Sequence, residues 1–145
     1  MNPLPYRFLE GWTLADVAFE ATGKDTAELF TDAGIAVLAT MVLEVASVET
    51  SVVREVNIEA ESMEMLLFKF LEEIIFYKDA ENLFFSSMKI RISTDKKYSL
   101  SGQLEGEKID PNKHELLVDV KAVTFHRFEV KFDQKQWLAR VVLDV

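Results

Sequence analysis

Two aspartates at opposite ends of the chain, Asp16 and Asp144, are the first residues whose type and position suggest chemistry. Asp16 precedes an alternating run in which Val17, Phe19 and Ala21 share one face, so Asp16 falls on the other. In the last alternating run Trp137, Ala139, Val141 and Leu143 share a face, and Asp144 again lies opposite. Both carboxylates can therefore point away from a core, and they meet if the two runs pair. Carboxylates held ~4–6 Å apart repel one another and take up a proton or a cation. Val145 follows Asp144, and its α-carboxylate brings two further oxygens. An oxygen-only, anionic set of this kind suits Ca²⁺ or Mg²⁺. The flexible geometry of Ca²⁺ better fits ligands gathered from distant chain positions. The ordinary alternative is a pair of solvated surface aspartates, and spacing alone leaves both open.

A second candidate is the run Lys121-Ala122-Val123-Thr124-Phe125-His126. Val118, Val120, Ala122, Phe128, Val130 and Phe132 define an apolar face of period two, and Thr124 and His126 interrupt it. Polar groups on an apolar face need partners. They line a pocket, or a β-bulge turns them outward, or they are satisfied structural groups at a strand bend. The aromatic pairs Phe68-Phe70 and Phe84-Phe85 and the pair Met63-Met65 read as core rather than as a ligand groove. Glu72 and Glu73 are neighbours on a helix, point in different directions, and read as solvated or as one partly buried carboxylate.

The sequence carries no P-loop, no GxGxxG, no HExxH and no GxSxG motif, so no catalytic signature supports an enzyme. It contains no Cys, which removes disulfides, thiolate zinc sites and thiol catalysis together. Its two His residues are too few for most histidine-rich metal sites. The formal net charge is −9 and unevenly spread: residues 1–82 sum to −11 and residues 83–145 to +2. Tight nucleic-acid binding usually needs a basic patch that displaces counterions from phosphates. The acidic first half argues against it and fits a hard cation, a basic protein partner or a well-solvated surface.

The elements that would position these residues follow from pattern. The chain has 145 residues, 49% of them apolar and 28% charged, enough for one core and one domain over 1–145. Tyr6–Leu9 reads as a short strand and Asp16–Ala21 as another, ended by Gly23. Asp25-Thr26-Ala27-Glu28 is a capping box, and apolar residues at 29, 30, 33, 36, 37 and 41 predict a helix from about Thr26 to about Glu44. Val48–Ile58 reads as a strand. Ser62 caps a second helix over Met63–Tyr77, apolar on most sides and so expected to be sandwiched. Strands follow over Phe84–Thr94 and Tyr98–Glu105, with Gly106 in the turn region after them. Asp110-Pro111-Asn112 signals a loop. A long strand or bent pair covers Leu116–Phe132, and a last strand covers Trp137–Asp144. Two helices among about seven mostly antiparallel strands make an α+β domain. The longest charge-free stretch of the first half, Ala33–Leu43, is 11 residues, too short to span a bilayer. Met1–Glu10 has neither a basic n-region nor an apolar h-region, so no signal peptide is expected.

Five blocks, taken in order, resemble the archease family, the small accessory proteins of the RtcB-type tRNA-splicing RNA ligase. They are Phe8-Leu9-Glu10 with Ala15-Asp16 and a strand ending at Gly23; Glu28-Leu29-Phe30; Leu66-Leu67 through Phe70-Leu71 to Glu73; Gly106-Glu107 through Asp110 and His114 to Lys121–His126; and the terminal Val141–Val145. The Lys-Ala-Val-Thr-aromatic-His string and the Leu-Asp-aliphatic ending are the most specific. The resemblance implies a cytosolic activator rather than an enzyme, one that promotes guanylylation of the ligase and its repeated turnover. It also implies a divalent-metal site at Asp16, Asp144 and Val145, with Ca²⁺ first and Mg²⁺ or Mn²⁺ as alternatives, and a functional strand carrying Lys121, Thr124 and His126. The family's His-Thr-Ala-Asp run is replaced here by Gly11–Asp16, which lacks the histidine and is two residues longer. Two other readings remain at this level: a small-molecule- or metal-binding module with no ligase partner, and a metal-dependent hydrolase for which no water-activating base can be named.

Overall fold

A computed structural model describes residues 5–12 and 16–145; Thr13, Leu14 and Ala15, which include part of the segment that departs from the family run, lie outside them. The chain order is β1 (Tyr6–Phe8), β2 (Val17–Gly23), α1 (Thr26–Met41), a 3₁₀ turn at Val45–Ser47, β3 (Val52–Ala60), α2 (Met63–Glu81), β4 (Leu83–Ser93), β5 (Tyr98–Lys108), β6 (Ala122–Asp133) and β7 (Gln136–Asp144). All strand pairs are antiparallel and form two sheets, ordered β1-β2-β7-β6 and β3-β5-β4. This is the expected α+β architecture. The split into two sheets follows from the helices: α1 packs on β2 and β4, and α2 on β3, β6 and β4. One apolar core joins both sheets and both helices, with Phe19, Phe30, Phe70 and Phe85 fully buried.

The caps form where the sequence places them. The Asp25 carboxylate accepts from the Glu28 N–H at 2.8 Å, and the Ser62 hydroxyl accepts from the Met65 N–H at 3.1 Å. Three boundaries of these elements differ from expectation. Helix α1 stops at Met41 because Val42 turns extended and bridges Leu116, while the Leu43 N–H donates to the Glu115 carbonyl. Strand β3 begins at Val52 rather than Val48, because Glu44–Val48 winds into the 3₁₀ turn. Helix α2 runs one turn past Tyr77 and ends on Asn82 in the left-handed region, whose N–H reaches the Lys78 and Tyr77 carbonyls. It is not wholly sandwiched: Lys69, Glu72 and Phe76 are exposed.

Gly106 lies inside β5, opposite Val52 and Phe85, and not in a turn. A Cβ there would sit 1.7 Å from the Phe84 carbonyl oxygen, so the β4–β5 pair closes only over glycine. The turn comes later, at Asp110–His114. The region expected as one strand from Leu116 divides: 115–121 is a strap along the end of α1, and regular pairing starts at Ala122. The β6–β7 hairpin turns through Gln134 and Lys135, both at positive φ, as a two-residue I′-type turn requires.

Candidate functional site

The β2–β7 ladder positions the two aspartates. Its register pairs Glu20 with Arg140, Ala18 with Val142 and, at its last rung, Val17 with Leu143. That last rung leaves Asp16 next to Val17 on one strand and Asp144 next to Leu143 on the other. Ala139, Val141 and Leu143 belong to the apolar core, so by alternation Asp144 lies on the opposite face of the sheet, with Val142 and Arg140. Asp16, Asp144 and Val145 are each half-buried. Asp144 is also paired on its other side: it stands opposite Ala122, and its carbonyl accepts from the Lys121 N–H at 2.8 Å. The end of β7 is thus held between the start of β2 and the start of β6.

The charge pattern of this outer face changes along the ladder. At the Glu20–Arg140 rung the carboxylate is bracketed by Arg7 Nε at 3.1 Å and Arg140 Nε at 2.9 Å, and Arg140 reaches on to Glu129. Burial opposes ionisation of Glu20, but these hydrogen bonds outweigh it and hold its pKa below the usual range. Just beyond the last rung the next residue of each strand, Asp16 and Asp144, is acidic. Carboxylate oxygens such as those of Asp16 and Asp144 are of the hard type that a divalent cation of the Ca²⁺ class accepts. Among the described residues no three His, Asp or Glu side chains converge on one point, so a cation here would draw its remaining oxygens from main chain, water or a partner.

The β6 residues are not gathered around a common pocket. Between Thr124 and Glu129 the register with β7 slips, five steps on β6 spanning two on β7. This bulge resets the phase, so Val123 and Val130 are buried while Ala122 and Phe132 are exposed. The even-numbered apolar face therefore does not persist. The Thr124 hydroxyl donates to the Val142 carbonyl at 3.0 Å within the strand pair, and His126 is turned to solvent. Lys121 is exposed at the strand's start. Phe125 stacks on Phe68 at 3.9 Å between centroids, and Arg127, at φ 55°, lies 3.5 Å over the Trp12 ring.

Three groups that sequence reasoning passed over hold the strap. At its start, the buried His114 accepts the Asp110 N–H on Nδ1, so Nε2 carries the proton and donates to Glu107 at 2.9 Å. Glu107 also accepts from the Glu49 N–H and from Lys113, and these bonds pull its pKa down to about 2. Near the strap's end, the buried Lys78 ammonium meets Asp119 at 2.6 Å, the Val120 carbonyl at 2.7 Å and Asp79 at 2.6 Å. Burial works against its charge, but the hydrogen bonds to the two aspartates win and raise its pKa. The signal for Lys78 was present, a lysine on the buried side of an apolar helix, but besides the adjacent Asp79 its partners lie 41 and 42 residues away.

The chain matches the Archease protein family over residues 6–145. The chain belongs to the archease family. It is 38% identical over 133 residues to the protein archease of Pyrococcus abyssi, covering 90% of this chain and 93% of that one. With the protein archease of Pyrobaculum calidifontis it shares 34% identity over 146 residues, covering 99% and 97%. The solution structure of protein 1598 of Methanobacterium thermoautotrophicum superposes with a TM-score of 0.85 at 35% identity, covering 99% of this chain and all of that one. A Thermotoga maritima crystal structure, described as an archease and possible chaperone, shares the fold with a TM-score of 0.62 at 18% identity, covering 90% and 91%. No helix among the described residues is long and apolar enough to cross a membrane.

Proposed function

We propose that this chain is a cytosolic accessory activator of an RtcB-type tRNA-splicing RNA ligase, promoting ligase guanylylation and multiple turnover without catalysing a reaction itself. The observation that carries the reading is the end of the β2–β7 ladder, whose last rung, Val17 with Leu143, lies next to Asp16 on one strand and Asp144 on the other. Family membership over the whole chain supports the ligase partner. In this reading Asp16, Asp144 and the main-chain oxygens of Val145 hold a divalent cation, Ca²⁺ first, which when bound supplies positive charge beside phosphate oxygens. The chain's own residues do the positioning. Lys121 donates its N–H to the Asp144 carbonyl, and the β2–β7 ladder holds Val17 and Leu143, the chain neighbours of the two aspartates, side by side. An acidic end of this kind is attracted to a ligase surface built to hold triphosphate and RNA.

The test is the yield of ligase–GMP adduct with a cognate ligase, GTP and Mn²⁺, with and without catalytic amounts of this protein. A raised yield is expected. Unchanged adduct across several cognate ligases would remove the activator reading and leave a metal- or small-molecule-binding module. Calorimetric Ca²⁺ titration of Asp16→Ala and Asp144→Ala tests the cation separately: each is expected to weaken binding while thermal unfolding stays within a few degrees.

A further inference from the structure

The strap at 115–121 exposes more apolar surface than its anchoring explains. Leu116, Leu117 and Val118 are 45%, 49% and 46% exposed, and Leu43, tied to the strap through the Glu115 carbonyl, is 51% exposed. Three consecutive apolar residues open to solvent, joined by a fourth, make a contiguous patch of the kind that marks an interaction surface. Beside it runs a groove of about 450 Å³ floored by Met41, Phe84 and Ile109, with Asp79 and Asp119 at its edge.

Charge identifies the occupant. Glu44, Glu115, Asp79 and Asp119 border the patch and are exposed. Lys78, beside Asp79 and Asp119, is buried and held by both aspartates, and the exposed Lys121 stands at the far end of the strap, beyond the patch. A second copy of the chain would bring this acidic border against itself across a two-fold axis, a like-charge arrangement that opposes association. The border instead complements a protein surface whose apolar ridge is flanked by Lys and Arg. Position narrows it further. Val118 is three residues from Lys121, about 10 Å of extended chain, and Lys121 N–H bonds the Asp144 carbonyl. A protein seated on the carboxylate end overlies the strap.

We infer that Leu43 and Leu116–Val118, with their acidic border, are a second docking surface for the ligase, giving affinity where the carboxylate end gives stimulation. This rests on the ligase reading above. The test is a titration of ligation turnover against activator concentration, with sedimentation of the two proteins mixed. Leu117→Lys and Glu115→Lys, both at exposed positions, are expected to raise the half-stimulating concentration roughly tenfold or more, about 1.4 kcal/mol of binding, with the plateau unchanged. Leu117→Met should match the wild type. Wild-type titration curves for both charged variants would overturn the docking surface and leave the ligase reading standing. A lowered plateau at unchanged half-stimulating concentration would overturn it too. Self-association of the wild type that Leu117→Lys abolishes would assign the patch to a second copy instead. Absence of any complex or stimulation by the wild type would overturn this inference and the ligase reading together.

Discussion

Asp32 and Glu107 are two carboxylates that the fold drives in opposite directions. Asp32 is half-buried on α1, and burial, with Glu28 one turn away, pushes its pKa up to about 6. The folded state therefore binds its proton more tightly than the unfolded chain does, and the ionised form costs stability above about pH 6. Asp32→Asn is expected to stabilise the protein at pH 7 by on the order of 1–2 kcal/mol, discounted for partial exposure, with the gain fading as pH falls from about 6 toward 4. Glu107 has the depressed pKa, so its contribution is complete above about pH 4.5 and is lost as pH falls toward 2. Glu107→Gln should flatten that acid limb. Chemical denaturation across pH 2–8 checks both; a parallel offset at every pH would contradict both assignments.

At the scale of elements, the sequence was most readable where local chemistry decides. Asp25 and Ser62 cap the helices they were expected to cap, and the alternations of β2 and β7 point their apolar faces inward. It was least readable where distant partners decide. The end of α1 is set by Leu116 and Glu115, which leave no mark in its own window, whereas the bulge of β6, whose residues contact Phe68 and Trp12, was one of the readings that Thr124 and His126 left open. Gly106 misled because glycine signals a turn and a close strand approach alike. The carboxylate pair stood between these cases. The outward direction of each aspartate was legible from alternation, but the antiparallel pairing of β2 with β7 was not. Lys78 gives an element-scale prediction. Lys78→Met removes the donor to Val120 and Asp119 and is expected to cost about 1–3 kcal/mol. Hydrogen exchange at the Lys121 amide should rise along with it. An unchanged exchange rate there would show that the strap does not depend on Lys78.

At the scale of the molecule, charge sets this protein apart from nucleic-acid binders. With a net charge of −9 and its first half at −11, the chain is expected not to shift tRNA at micromolar concentration in ~0.15 M salt, where exposed charges more than ~8 Å apart are screened. A sub-micromolar, salt-sensitive complex would assign it a direct RNA-binding role. The measurement closest to the central proposal is the number of ligation turnovers per cognate ligase with no activator, with the wild-type protein and with Asp144→Ala. The expected result is many turnovers with the wild type, and a return toward the unassisted value with Asp144→Ala even at saturating activator, while its unfolding temperature is retained. Equal turnover in all three would contradict the activator role, and full stimulation by Asp144→Ala would contradict the carboxylate end as its source.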